Sequence, residues 1–118
     1  MNLPLRAGQI VVADWRDALP KEANKRRPAV VVEDDSLFDQ GYPNTILVPL
    51  TEDVEFAPAG LAVPIAPTPE NGCTKPCFAL PHHVTTTSKR RIRPTTSHVT
   101  PEQLSLIRER LALCIGLA

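Results

Sequence analysis

Seven of the thirteen basic residues fall in two clusters, Lys25-Arg26-Arg27 and Lys89-Arg90-Arg91 with Arg93. Each flanks a predicted strand, and a fold that joins them builds a local anion-binding face. Taken singly, each is a charge run on a solvated loop. A second grouping is Cys73-x3-Cys77-x4-His82-His83. Thiolates and imidazoles are zinc ligands, but this spacing fits no common zinc motif and a structural site takes four well-spaced ligands. No metal or other cofactor is expected. Trp15, at the end of an apolar stretch, reads as core ahead of a stacking platform for a flat ring.

The 118 residues suit one domain, residues 1–118. Thirteen Lys+Arg cancel thirteen Asp+Glu, which excludes a protein held to nucleic acid by bulk charge. Seven of the acids lie between Glu33 and Glu55, where they supply balancing charge away from the basic clusters. With 42% hydrophobic and 22% charged residues the chain is globular in composition. Thirteen prolines against five glycines exclude a helical bundle and fit short strands joined by kinked loops. Three cysteines, Cys73, Cys77 and Cys114, form an odd set, and the N-terminus lacks the apolar core of a secretory leader. Nothing approaches the roughly 20 apolar residues that span a bilayer. Free thiols in a soluble cytoplasmic protein are expected.

The expected strands are Ile10–Trp15, Pro28–Val32, Thr45–Leu50 and Leu61–Ile65. The last holds Pro64, which places it at a sheet edge. A fifth begins at Phe78-Ala79-Leu80 and runs through Val84 into the threonines despite Pro81, and a short sixth surrounds Arg91–Arg93. Arg16–Arg26 reads as a long exposed loop, and Pro67–Gly72 as a loop within the domain. Thr100-Pro101-Glu102-Gln103 signals a capped helix with Leu104, Ile107, Leu111 and Cys114 on one face and a stop at Gly116. Together these predict a mainly β protein, a small bent antiparallel sheet or barrel of about five to six strands plus a C-terminal helix.

Four pieces in order resemble the MazF/PemK toxin family. They are Gly8-Gln9-Ile10-Val11-Val12-Ala13-Asp14-Trp15, then Glu22 five residues before Arg27-Pro28 with Ala29–Val32, then Ile46–Thr51, and the tail Leu113–Leu117. The resemblance covers nearly the whole chain. It implies an SH3-like barrel with a C-terminal helix, a homodimer, metal-independent cleavage of single-stranded RNA, and neutralisation by a cognate antitoxin.

The same resemblance assigns site residues. Arg27 matches the arginine of the family's Arg-Pro pair; its charged fork suits the phosphoryl oxygens when a ribose 2′-OH attacks phosphorus, leaving a 2′,3′-cyclic phosphate and a 5′-OH. Thr51 matches the threonine that closes the third strand, a hydroxyl able to hold in-line geometry. The chain departs from the family at Leu80-Pro81-His82-His83-Val84-Thr85-Thr86. His82 replaces an acid, His83 a glutamine, Thr85 a basic residue, and Thr86 keeps the hydroxyl. Imidazole titrates near neutrality, so one of the two histidines is expected to face the groove and take the proton, His82 being the one chosen. Glu22, Lys25, Arg26, His83 and Thr86 are expected to line the RNA groove. Alternatives are a non-catalytic barrel acting on a protein target, as the related CcdB-type toxins act on a topoisomerase, and a degenerate toxin kept for antitoxin binding.

Overall fold

A computed structural model describes residues 4–15, 26–57 and 60–117. Seven strands, β1 (Gln9–Asp14), β2 (Arg26–Val31), β3 (Asn44–Thr51), β4 (Val63–Ile65), β5 (Cys77–Ala79), β6 (Thr85–Ser88) and β7 (Ile92–His98), precede helix α1 (Pro101–Cys114). All pairings are antiparallel, in the order β4-β5-β3-β2-β1-β7, with β6 also on β3. The sheet does not close among the described residues. This is the mainly β fold with a C-terminal helix read from the sequence, with one strand more than the upper count.

The run Pro28–Val32 is apolar without alternation because both faces of the central strands are covered. Register places Ile10 opposite Val30 and Val30 opposite Val48. That face meets Val63, Ile65, Cys77, Ala79 and the fully buried Ile107 of α1 in the main core. Val11, Ala29, Val31 and Leu47 point the other way into a second cluster with Leu5, Ala13, Trp15 and Ile92. The Trp15 indole N–H donates to Thr87 Oγ1 at 3.0 Å, which satisfies the polar edge of a ring otherwise used for packing.

Prolines decide where strands break. Pro49 lies where β3 changes partner, from β6 at Asn44–Leu47 to β5 at Leu50–Thr51. With no N–H it cannot donate there, but its carbonyl accepts Leu80 N at 3.0 Å. Pro81 corrects the expected continuous fifth strand: Pro81–His83 is a single 3-10 turn between β5 and β6. The sixth strand is longer than expected, Ile92–His98, and Pro94 is tolerated because β7 is an edge. Pro64 sits on edge strand β4 as expected.

Helix α1 carries the expected capping box: Gln103 N donates to Thr100 Oγ1 at 3.0 Å and Thr100 N to Gln103 Oε1 at 2.9 Å. Gly116 takes the left-handed backbone, φ 81°, that ends helices. Leu104, Leu106, Ile107 and Leu111 pack on the main core. Cys114, expected on that face, is exposed. Arg108 and Arg110 fasten the helix instead: Arg108 Nε donates to Val32 O at 3.1 Å and Arg110 Nη1 to Gly60 O at 2.8 Å. No described helix is long and apolar enough to cross a membrane.

Candidate active site

Arg27 faces Thr51 just beyond the last β2/β3 pair. Ala29 pairs with Pro49, so two residues further out the same register brings Arg27 and Thr51 opposite each other on one face. Arg27 Nη2 donates to Thr51 Oγ1 at 3.4 Å, and Thr51 Oγ1 also accepts Asp53 N at 3.0 Å. Thr51 is only 5% exposed, so this is a preset contact that leaves the hydroxyl proton free to donate. Partial burial lowers the Arg27 pKa from its ordinary value, and the Asp53 carboxylate pulls it back up. The guanidinium stays charged at any physiological pH.

Both residues line a cleft of about 480 Å³. Its far wall is the segment Asn71–Lys75 with Cys77, and its rim includes Arg26 and Glu52. Asn71 builds that wall: 3% exposed, its Oδ1 accepts Thr68 N at 3.0 Å and Cys73 N at 2.9 Å, and its Nδ2 donates to Ala66 O at 2.8 Å. Gly72 follows at φ 68°, and a Cβ there would sit 2.7 Å from Ser97 Oγ, so only glycine fits this turn without displacing Ser97. The sequence offered one signal for this wall, the Asn71-Gly72 pair. That the loop folds over Arg27 was not readable from it.

The remaining expected site residues are distributed differently. Glu22 and Lys25, with most of the loop 16–26, lie outside the described residues. Arg26 is exposed and 3.8 Å from Asp14, its cross-strand partner. Thr86 pairs with Ile46, which packs against the main core, and Thr86 is not among the described residues lining the cleft. Thr85 and Thr87 pair with Leu47 and Thr45, and Thr87 accepts the Trp15 indole N–H beside the second cluster. His82 and His83 do not alternate across a strand, which corrects the expectation that one turns in and one out. Both are exposed with rings 4.3 Å apart, on a 3-10 turn that lies against α1 and β3. Among the described residues lining the cleft, neither histidine appears.

The basic clusters meet only in part. Arg93 pairs with Val12, two residues from Asp14, so it shares a face with Arg26. Lys89 is drawn away, its Nζ donating to Gln40 O at 3.2 Å. Nor are the acids all elsewhere, since Glu52 and Asp53 stand beside Arg27. The charge balance is therefore partly local. Among the described residues no three His, Cys, Asp or Glu are grouped to hold a metal.

Residues 6–115 match the family model for PemK-like, MazF-like toxin of type II toxin-antitoxin system. Among solved structures, MazF (Form-I) from Deinococcus radiodurans aligns with 19% identity and a TM-score of 0.79, covering 98% of this chain and 99% of that one. The Mycobacterium tuberculosis toxin MazF-mt6 aligns with 17% identity and a TM-score of 0.69, covering 93% and 98%. An endoribonuclease in complex with its cognate antitoxin, from a mycobacterial species, aligns with 22% identity and a TM-score of 0.66, covering 100% and 98%. At these identities the likeness is one of fold. No curated protein matches the chain.

Proposed function

Since this chain belongs to the family of PemK-like, MazF-like toxins of type II toxin-antitoxin systems, we propose that it is a metal-independent endoribonuclease that cuts single-stranded RNA. The observation that carries the reading is Arg27, half-buried, held to Thr51 at 3.4 Å and opening on the cleft. A phosphodiester seated there presents its non-bridging oxygens to the guanidinium. As the adjacent 2′-OH attacks phosphorus, negative charge grows on those oxygens, and a preset cation stabilises it most where water is scarce. The Thr51 hydroxyl holds the guanidinium and donates its own proton to a phosphate oxygen. The 2′ proton leaves to a base, the P–O5′ bond breaks and the 5′ oxygen takes a proton from water, giving a 2′,3′-cyclic phosphate and a 5′-OH.

Among the described residues lining the cleft, Glu52 carries the one carboxylate, and we assign it the proton ahead of His82. His82 and His83, exposed beside α1, suit contacts to RNA running past the cleft, as do Arg26 and the basic residues near it. A cognate antitoxin is the proposed protein partner, in keeping with the antitoxin complex among the similar structures, and a homodimer is the proposed assembly. The test is incubation with long single-stranded RNA in EDTA. Cyclic-phosphate ends that vanish in Arg27→Ala support the reading. Growth arrest without cleavage of any RNA refutes it and favours a protein target.

A further inference from the structure

Cys73 and Cys77 face each other across the cleft wall with their sulfurs 3.8 Å apart. Both are free thiols, and both line the cleft that holds Arg27 and Thr51. Their surroundings differ. Cys73 is half-buried at the end of the Asn71-Gly72 turn, its amide fixed by Asn71 Oδ1. Cys77 is 6% exposed and opens β5. Burial, with the neighbouring Cys73 and Glu52, pushes the Cys77 thiol up to about 12. A reagent in solution therefore meets Cys73 first, and Cys77 is the sulfur held behind it.

We propose that Cys73 and Cys77 are a modification site for hydrogen peroxide, which joins them in an intramolecular disulfide that reshapes the cleft and slows RNA cleavage. The Cys73 thiolate attacks one peroxide oxygen. The O–O bond breaks, leaving a sulfenic acid on Cys73 and hydroxide that takes up a proton as water. The Cys77 sulfur then attacks Cys73 Sγ, the S–O bond breaks, and the departing hydroxide leaves as water with the Cys77 proton. Two thiols and one peroxide give one disulfide and two waters, with two electrons passing from sulfur to peroxide.

Contact becomes bond only when the sulfurs close from 3.8 Å to roughly 2.0 Å. Asn71 pins the Cys73 end through three hydrogen bonds, and β5 pins Cys77 through its pairing with Ile65. The movement then falls on Thr74, Lys75 and Pro76 between them, and Thr74 and Lys75 line the cleft with Arg27 and Thr51. A displacement of about 1 Å beside a reacting group can cost roughly 100-fold in rate.

The effect on RNA rests on the endoribonuclease reading, whereas formation of the disulfide does not. The experiment uses the full chain carrying Cys114→Ser, which removes intermolecular bridging through the exposed third thiol. Peroxide treatment is followed by intact mass, thiol alkylation and RNA cleavage, then repeated after dithiothreitol. The expected results are a monomer lighter by about 2 Da, loss of both thiols together, cleavage slowed about 100-fold, and recovery on reduction. Cys73→Ser and Cys77→Ser each abolish the mass change. Thiols that stay alkylatable, or a Cys73 that gains oxygen without bridging, overturn the site. A disulfide that forms while cleavage is unchanged overturns its control of the cleft. A parent protein inactive on RNA refutes the proposed function, and the mass result still decides the dithiol.

Discussion

Replacing Arg27 separates charge from geometry at the cleft. A guanidinium about 4 Å from a developing phosphoryl charge, in surroundings of effective dielectric near 20, contributes roughly 4 kcal/mol. Arg27→Ala is therefore expected to slow cleavage about 1,000-fold. Arg27→Lys keeps the charge but loses the fork that spans Thr51 and the phosphate, for a loss of roughly 10- to 100-fold. The fold is not at risk. The single described hydrogen bond of this side chain is long at 3.4 Å, and Thr51 Oγ1 keeps Asp53 N at 3.0 Å as donor. A half-exposed pair of that kind is worth under about 1 kcal/mol, so Tm moves by no more than about 4–8 °C. The assay is single-turnover cleavage of a fluorogenic RNA in EDTA, with thermal unfolding alongside. An alanine variant that folds like the parent and cuts within threefold of it would falsify the role given to Arg27.

Four further outcomes follow from the same geometry. Thr51→Val removes an acceptor used by both Arg27 and Asp53 N; cleavage is expected to fall roughly 10-fold or more with stability down about 1–2 kcal/mol, while Thr51→Ser retains most activity. Glu52→Gln is expected to lower kcat roughly 100-fold or more, whereas His82→Ala raises KM and leaves kcat within a few-fold of the parent; the reverse pattern returns the proton transfer to His82. Ile107→Ala empties the centre of the main core, where the side chain is 0% exposed, and denaturant unfolding is expected to register a loss of about 2–5 kcal/mol. Cys77 keeps its proton to about 12 in the folded chain, while an unfolded cysteine gives it up near 8.5. Stability contributed by this thiol is complete below that lower value and is lost as pH rises between the two. Unfolding midpoints measured across this window are expected to fall more steeply in the parent than in Cys77→Ala; equal slopes refute the linkage.

Much of the fold was legible because its causes are local. The capping box at Thr100 and Gln103 needs only four residues in order, and the run Pro28–Val32 needs only β-branched side chains with two covered faces. The break at Pro81 was misread because a proline near a strand permits either an edge or a turn. What decided it is distant in sequence, the Leu80 N–H meeting the carbonyl of Pro49 just where β3 exchanges β6 for β5. The histidines then follow the turn and leave the cleft.

Residue types and order alone determined a mainly β fold with a C-terminal helix, since periodicity and caps are carried by neighbours in the chain, while Arg27 and Thr51 stood out through the resemblance of motif order to the toxin family. Register and loop closure decided the rest. Arg27 meets Thr51 because β2 and β3 pair as they do, Thr86 stays out of the cleft because β6 pairs with the other end of β3, and Cys73 reaches Cys77 and the cleft because Asn71 folds the loop back. Those distances are set by cross-strand hydrogen bonds between residues far apart in sequence, and only the tertiary structure fixes them.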